Sequence, residues 1–155
     1  MQHITRRAVA GAVRTVFTAP ISRPSLDLSG KVVLVTGSTQ GLGAGIVRAL
    51  VECNVGGVVI HGRDTSKGSA TTLAADVKAA GVESLIVSAD LAEEDDCVRL
   101  VAQADAAFGR LDGLVNAAGC TFRGGLWNSD ADLWQYMFNV RVAFRGACTV
   151  VLRRC

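Results

Sequence analysis

The hydrophobic pattern of the chain alternates between short apolar runs and longer stretches in which apolar residues recur every three or four positions. Residues 31–36 (KVVLVT) are rich in β-branched residues, which is typical of a strand buried on both faces of a parallel sheet. Residues 56–60, 84–88 and 111–115 form three further short apolar runs. Each run is followed by a stretch with helical spacing, so the pattern predicts four strands that alternate with four helices.

Residues that favour helix ends stand where the predicted helices should begin and stop. The second helix is predicted over residues 64–80. The third should open with the acidic residues 93–96, because negative charge suits the positive end of a helix dipole. The predicted caps and stops are Asp64 or Thr65 and then Gly81 for the second helix, and Ser129 or Asp130 for the last.

Alternating strands and helices predict an α/β fold in which right-handed crossovers build a parallel sheet. A glycine-rich loop follows the first predicted strand, which is its place in a dinucleotide-binding Rossmann half. We therefore expect residues 28–155 to form a partial Rossmann fold, a four-stranded parallel sheet in the order 3-2-1-4 with flanking helices.

The glycine-rich loop, TGSTQGLG over residues 36–43, is predicted to hold a phosphate. Gly37, Gly41 and Gly43 would allow a sharp turn, close approach of the backbone to a pyrophosphate and close packing of the next helix. The start of that helix would add free N–H groups and positive dipole. No Gly-Lys-Ser/Thr follows, which excludes a P-loop. The alternative is a tight strand-to-helix turn without a ligand.

Composition and charge exclude several classes of protein. Half of the 155 residues are apolar and 19% are charged, so the chain is globular and long enough for one domain with its own core. No apolar run reaches the roughly 18 residues that a membrane span needs. The net charge of +2 comes from a basic N-terminus, and the rest of the chain is mildly acidic, which leaves no footprint for nucleic acid.

The cysteines are scattered, odd in number and without a Cys-x-x-Cys pair. This pattern disfavours a zinc site or a disulfide framework, and it favours buried thiols in a reducing compartment. No metal site is predicted. The five cysteines are Cys53, Cys97, Cys120, Cys148 and Cys155.

Residues 1–27 resemble an organelle transit peptide, because they are basic, free of acidic residues up to position 26, and amphipathic when wound as a helix. This interpretation predicts a location in the mitochondrion or another organelle matrix. The alternative is an ordinary disordered leader on a cytoplasmic protein. The basic residues of this segment are Arg6, Arg7, Arg14 and Arg23.

Three more motifs accompany the glycine loop. Asp90-Leu91 follows the third predicted strand, Asn116-Ala-Ala-Gly119 follows the fourth, and Asn139-Val-Arg lies in the last predicted helix. With the T-G-x-x-x-G-x-G loop, in this order and spacing, they resemble the short-chain dehydrogenase/reductase family. The resemblance covers residues 28 to about 154, and it implies a nucleotide-binding Rossmann domain descended from NAD(P)-dependent oxidoreductases.

The resemblance implies a role for each motif. The glycine loop would wrap the pyrophosphate, Asp90 would accept a hydrogen bond from the adenine amino group, and Leu91 would pack on that ring. Asn116 and Ala117 would line the nicotinamide ribose side, and Gly119 would allow the cofactor to approach closely. Asn139 would hold a water of the catalytic proton relay. The implied cofactor-binding residues are Thr36, Gly37, Ser38, Gln40, Gly41, Leu42, Gly43, Arg63, Asp90, Leu91, Asn116, Ala117, Ala118 and Gly119.

Several of these polar residues also have a structural interpretation. Asp90 could cap the next helix, Asn116 could tie neighbouring strands together, and Asn139 could be a satisfied polar neighbour. Tyr136 lies at helical spacing among apolar residues, which favours packing in a core or interface over catalysis. His61, at the end of a strand, is interpreted as structural.

The end of the second predicted strand bears on the choice of nucleotide. An acidic residue there would bind the ribose 2′-hydroxyl of NAD, but Gly62 stands where the family often has that acid. Arg63 can pair with a 2′-phosphate, so NADP(H) is preferred over NAD(H). In the alternative, Arg63 is a solvated surface residue and Asp64 caps the helix. Gln40 stands where many NADP-binding members have a second basic residue.

The sequence contains no Tyr-x-x-x-Lys, the pair with which the family moves the substrate proton. Residues 1–155 are therefore expected to hold the cofactor-binding half of a reductase without the catalytic Ser, Tyr and Lys, and to be inactive alone. Cys120 and Arg123 are candidates for shaping the mouth of the site. The competing interpretation is a non-catalytic nucleotide-binding or interaction protein that pairs with itself or with full-length relatives through the last helix.

Overall fold

The computed structural model describes residues 26–120 and 130–140. Within them, four β-strands alternate with four α-helices. The strands are β1 (Val32–Thr36), β2 (Gly57–Gly62), β3 (Glu83–Ser88) and β4 (Gly113–Asn116). The helices are α1 (Gly41–Glu52), α2 (Ser69–Ala79), α3 (Glu94–Phe108) and α4 (Ala131–Phe138).

The strands form one parallel sheet in the order β3-β2-β1-β4, which confirms the predicted α/β fold and strand order. The register pairs Leu34 of β1 with Val59 of β2 on one side and with Leu114 of β4 on the other. The chain runs outwards from β1 to β3 and then returns to place β4 against β1. The carboxyl ends of β1 and β4 therefore adjoin at a topological switch point, where open α/β sheets bind their ligands.

Helices cover both faces of the sheet, because alternate residues of a buried strand point to opposite sides. Val33 and Val35 contribute to the apolar cluster that contains buried residues of α1 and α2. Val32 and Leu34 contribute to a second cluster, which contains buried residues of α3. β1 is buried along its whole length, so the loop that leaves it starts from a rigid support.

The amino ends of β1 and β4 are fastened by the carboxylate of Asp112. It accepts hydrogen bonds from Arg110 at 2.8 and 2.5 Å, from the backbone N–H of Val32 at 2.9 Å and from Lys31 at 3.2 Å. The Arg110 guanidinium, followed by the Val32 N–H, holds the pKa of Asp112 well below its usual range. This carboxylate reinforces the register of the two strands whose opposite ends border the site.

The second helix begins at Ser69, so the predicted start at Asp64 or Thr65 is wrong. The Asp64 carboxylate accepts hydrogen bonds from the backbone N–H and the hydroxyl of Ser66, which makes a local turn instead of a helix cap. Gly68, in the left-handed conformation with φ of 76°, is the N-cap. Residues 64–68 therefore form a loop at the carboxyl end of β2.

Other predicted helix ends are confirmed. Glu93 is the N-cap of α3, and the first turn of that helix is acidic. The Asp130 carboxylate accepts a hydrogen bond from the N–H of Leu133 at 2.8 Å and caps α4. Gly81, with φ of 80°, follows the end of α2. Each of these ends depends on local chemistry that a short stretch of sequence contains.

Some predictions concern residues outside the described ranges. They are the helical leader within residues 1–25, the alternative cap Ser129, the mouth residue Arg123, Arg141 of the Asn139-Val-Arg motif, and the thiols Cys148 and Cys155. Among the helices of the described ranges, none combines the length and the apolar character needed to cross a membrane.

Candidate functional site

The glycine loop between β1 and α1 has contacts that only glycine permits. Gly37 has a φ of 63°, and a Cβ there would lie 2.6 Å from the Cα of Ala118. A Cβ on Gly43 would collide with the carbonyl oxygen of Gly37, so the start of α1 packs directly on the end of β1. Gly41 has a φ of 57° and open space around its missing Cβ, which leaves room for a ligand to approach the backbone.

The start of α1 has the features of an anion site. Its N-cap, Gln40, makes no side-chain hydrogen bond to the first turn, and that turn contains no acidic residue. The free N–H groups and the positive end of the helix dipole therefore remain available. Leu42 is 77% exposed beside them. A phosphate group is the ligand that such a helix start favours.

Thr36, at the end of β1, fastens the loop that follows β4. Its side chain is fully buried. The hydroxyl accepts hydrogen bonds from the N–H groups of Ala117 at 3.2 Å and Ala118 at 3.1 Å, and it donates to the carbonyl of Val115 at 3.4 Å. One hydroxyl thus positions the backbone that passes close to Gly37.

His61 joins the glycine loop to the end of β3. Its Nδ1 accepts a hydrogen bond from the N–H of Gly37 at 3.1 Å, and its Nε2 donates to the carbonyl of Ala89 at 3.1 Å. Its backbone N–H donates to the hydroxyl of Ser38 at 3.0 Å. These partners define the neutral ring with its proton on Nε2, and burial lowers the pKa of His61. The structural role predicted for His61 is confirmed.

We expect the free energy of unfolding to decrease between about pH 7 and about pH 5 because of His61. A protonated ring cannot accept the Gly37 N–H. The unfolded chain takes up this proton near the ordinary pKa of about 6.5, whereas the lowered pKa in the folded chain delays uptake to lower pH. The unfolded state therefore binds more protons in this interval, and stability falls with falling pH. Urea unfolding across the interval measures the loss.

His61→Gln is the matched control, because an amide offers one acceptor and one donor without titrating. Its free energy of unfolding should change less with pH over the same interval. The other histidine, His3, is present in both chains and cancels in the comparison. Lowered pKa values keep the protonation of Asp96 and Asp112 below the interval. An equal pH dependence in the two chains would contradict the prediction.

Asp90 lies at the turn between β3 and α3. Its Oδ1 accepts a hydrogen bond from the N–H of Ala92 at 3.0 Å, and its own N–H donates to Asp96 at 2.8 Å. Asp90 therefore shapes the turn, while Glu93 is the N-cap of α3, so the alternative role of Asp90 as a helix cap is wrong. These bonds hold the carboxylate in the cavity wall.

Arg63 and Tyr136 meet at the rim of the site. Nη1 of Arg63 donates to the Tyr136 hydroxyl, which lies 3.4 Å from each carboxylate oxygen of Asp90. This hydrogen bond, with the nearby Asp90 charge, raises the pKa of Arg63 further, so the guanidinium stays charged. Packing in a core or interface was predicted for Tyr136. That prediction is wrong for the hydroxyl, which is hydrogen-bonded in the cavity wall.

These groups surround a cavity of about 440 Å³ at the carboxyl ends of all four strands. This volume is within the range of small-molecule sites. Most of the sequence-predicted binding residues line it. They are Gly37, Gln40, Gly41, Leu42, Gly43, Arg63, Asp90, Leu91, Ala117, Ala118 and Gly119.

Four sequence-predicted residues do not line this cavity: Thr36, Ser38, Asn116 and Asn139. Thr36 and Ser38 are buried beneath the loop, where their hydroxyls support it. The backbone of Asn116 pairs with Thr36 in the sheet. The Asn139 side chain accepts a hydrogen bond from Gln135 at 2.8 Å. The catalytic role of Asn139 stays a prediction.

Ten further lining residues were not among the predicted cofactor-binding residues, although Cys120 was predicted to shape the mouth of the site. They come from the end of β2, the loop after it and the start of α2, from the loops after β1, β3 and β4, and from positions 136 and 140. Loops at the carboxyl ends of parallel strands border the ligand crevice, so the loop residues follow from the fold. Tyr136 and Val140 are four positions apart, which places them on the same face of a helix. The additional lining residues are Thr39, His61, Gly62, Asp64, Lys67, Ser69, Ala89, Cys120, Tyr136 and Val140.

Known proteins are similar to this chain in sequence and in fold. An uncharacterised oxidoreductase from Staphylococcus saprophyticus is 34% identical over 118 residues, which is 76% of this chain and 49% of that protein. A short chain dehydrogenase from Burkholderia cenocepacia, solved with NADP, is 31% identical with a TM-score of 0.76, over 82% of this chain and 51% of that one. A blue fluorescent protein from a metagenomic library, solved with NADPH, is 30% identical with a TM-score of 0.77, over 83% and 52%.

The fold and the cavity define a Rossmann-type domain with the geometry of a dinucleotide-binding site. The sequence pattern of the short chain dehydrogenase family matches residues 31–151. The chain therefore belongs to the short chain dehydrogenase family. It spans about half the length of the Staphylococcus saprophyticus relative and of the two solved structures.

Proposed function

We propose that this chain binds a nicotinamide dinucleotide for hydride transfer between that cofactor and an alcohol or carbonyl substrate. The observation that carries the proposal is the cavity in which the start of α1, the glycine loop and Asp90 converge. Three of the similar solved structures are complexes with NADP or NADPH, which supports the same ligand class here.

Each part of the cofactor is proposed to contact a particular group of residues. The glycine loop and the start of α1 would hold the pyrophosphate, for which Gly41 leaves space. Asp90 and Leu91 would hold the adenine, and Ala117–Gly119 would border the nicotinamide ribose. The bound nicotinamide would supply or accept the hydride. The protein residues would orient the dinucleotide, and Asn139 would hold a water for proton transfer.

We propose a preference for NADP(H) over NAD(H), based on the end of β2. Gly62 has no side chain to bind a ribose 2′-hydroxyl, and Asp64 is hydrogen-bonded to Ser66. Arg63 and Lys67 both line the cavity at this point. Two cations next to a ribose favour a 2′-phosphate, because a guanidinium forms charge-assisted hydrogen bonds with phosphate oxygens.

We expect adenosine 2′,5′-bisphosphate to bind the 155-residue chain about tenfold or more tightly than 5′-AMP. Both probes fill only the adenosine half of the proposed site, so they do not depend on substrate or catalytic residues. Arg63→Gln should weaken binding of the bisphosphate by about tenfold to a hundredfold, because hydrogen bonds to charged groups are worth about 1.5–3 kcal/mol. Isothermal titration calorimetry measures the dissociation constants.

Arg48→Gln is the matched control, since Arg48 lies on α1, pairs with Asp76 and is not part of the cavity wall. It should leave the bisphosphate affinity within about twofold, because exposed ion pairs contribute little. Equal affinity for the two probes would overturn the NADP(H) preference. Binding of neither probe would overturn the proposed function itself.

We propose that residues 1–155 bind the nucleotide without turning over substrate by themselves, because they contain no Tyr-x-x-x-Lys. A non-catalytic nucleotide-binding or interaction protein is the second candidate. The exposed Trp134 and Phe138 of α4, with ring centroids 6.4 Å apart, favour an oligomer through that helix. Turnover of a carbonyl substrate by this chain would overturn both the proposed lack of turnover and the non-catalytic candidate. Sedimentation of the Phe138→Glu variant tests whether α4 forms an oligomer.

We also propose that residues 1–27 form an organelle-targeting leader ahead of the nucleotide-binding domain. The intact mass of the endogenous protein, captured with an antibody to the glycine loop, tests whether this leader is removed and whether residues 28–155 belong to a longer protein. Loss of the first residues would support targeting. A mass well above 16.1 kDa would instead assign residues 28–155 to a larger enzyme that supplies its own catalytic half.

A further inference from the structure

Arg63 meets a hydroxyl rather than a carboxylate. Within residues 26–120 and 130–140 its guanidinium forms no salt bridge, and Nη1 donates to the Tyr136 hydroxyl at 2.5 Å. The adjacent Asp64 is engaged with Ser66 and, at 3.5 Å, with Lys67. The positive charge of Arg63 is therefore held in place without being neutralised by a direct acidic partner.

The Tyr136 hydroxyl is itself oriented. It donates towards the carboxylate of Asp90, which leaves an oxygen lone pair for the guanidinium. Asp90 is held in turn by its hydrogen bonds with Ala92 and Asp96. The carbonyl of Arg63 accepts a hydrogen bond from the Ser88 hydroxyl at 2.8 Å. Both ends of Arg63 are thus tied, directly or through Tyr136, to the carboxyl end of β3.

We propose that Tyr136 is a positioning residue that presents Arg63 to the 2′-phosphate of NADP(H) and thereby sets the preference over NAD(H). The inference rests on the proposed binding of NADP(H). A carboxylate in the place of the phenol would fix the guanidinium, but it would neutralise the charge and repel the phosphate. A neutral hydroxyl fixes the guanidinium without neutralising its charge and without repelling the phosphate. An unanchored arginine would lose rotamer freedom only when the phosphate binds, which weakens binding.

The test is a double-mutant cycle on the 155-residue chain with adenosine 2′,5′-bisphosphate and 5′-AMP as probes. Tyr136→Phe keeps the ring and removes the hydroxyl. It should reduce the affinity ratio of the bisphosphate to 5′-AMP about three- to tenfold, which is the effect of freeing one long side chain. In the Arg63→Gln background the same substitution should leave the ratio unchanged, because the phenol acts through the guanidinium.

A second readout needs no nucleotide. Tyr136 is the only tyrosine in the chain, so a ¹³Cζ-tyrosine label gives a single resonance, which Arg63→Gln should shift. Arg48→Gln should leave it in place. Three results would each overturn the inference. Arg63→Gln leaves the tyrosine resonance unshifted, Tyr136→Phe lowers the affinities for the two probes equally, or Tyr136→Phe still changes the affinity ratio in the Arg63→Gln background. If the unchanged chain binds neither probe, the proposed function and this inference are overturned together. If it binds the probes but Tyr136→Phe leaves the affinity ratio unaltered, the inference alone is overturned.

Discussion

Gly37→Ala should lower the free energy of unfolding by about 2–5 kcal/mol and weaken nucleotide binding about tenfold or more. The left-handed backbone of Gly37 costs a residue with a Cβ about 1–2 kcal/mol. The new methyl group would also lie 2.6 Å from the Cα of Ala118, and forcing extra atoms into such a packed place costs about a further 1–3 kcal/mol. Backbone atoms cannot rotate away, so the glycine loop and the loop after β4 must move apart. Urea unfolding and calorimetric titration measure the two effects.

Gly30→Ala separates the two causes. Gly30 has a similar φ of 68°, but nothing lies within 4 Å of where its Cβ would be. The free energy of unfolding of Gly30→Ala should therefore decrease only by the backbone contribution of about 1–2 kcal/mol, and the variant should keep its nucleotide affinity. If the two variants were equally destabilised, close approach to Ala118 would not be the reason for glycine at position 37.

Thr36→Val should lower the free energy of unfolding by about 2–4 kcal/mol, although valine has nearly the same shape as threonine. The substitution leaves the N–H groups of Ala117 and Ala118 without their acceptor. A fully buried unsatisfied donor costs about 1–3 kcal/mol, and the total for these two donors stays below the maximum because both hydrogen bonds are only partly buried. The loop after β4 borders the cavity, so its release should also weaken nucleotide binding. Thermal unfolding and the same titrations measure both effects.

The control for this substitution is Thr36→Ser, which keeps the hydroxyl and removes only a methyl group. The free energy of unfolding of this variant should decrease by only about 1 kcal/mol, and its nucleotide affinity should be retained. Comparable losses in the serine and valine variants would show that packing of the methyl group, rather than the hydroxyl, is what matters at this position.

Much of the fold followed from features that are local in sequence. The continuous apolar run of β1 indicated a strand buried on both faces, and the alternation of strands and helices indicated a parallel sheet. Asp130 showed its role as a cap because the N–H it binds is three residues away. The predicted start of α2 was wrong because an aspartate side chain can form either a local turn or a helix N-cap. Asp64 forms the turn, with Ser66 as its partner.

The sequence by itself determined the family, the strand order and about half of the cavity wall, because those depend on short motifs and on the order of elements along the chain. Only the tertiary structure decided which partners the polar groups of the site bind across long stretches of chain. Thr36 meets Ala117 from 81 positions away, and Arg63 meets Tyr136 from 73. His61 bridges Gly37 and Ala89. Such hydrogen bonds require atoms within about 3 Å, and packing of the helices on the sheet sets those distances while local sequence patterns leave them open.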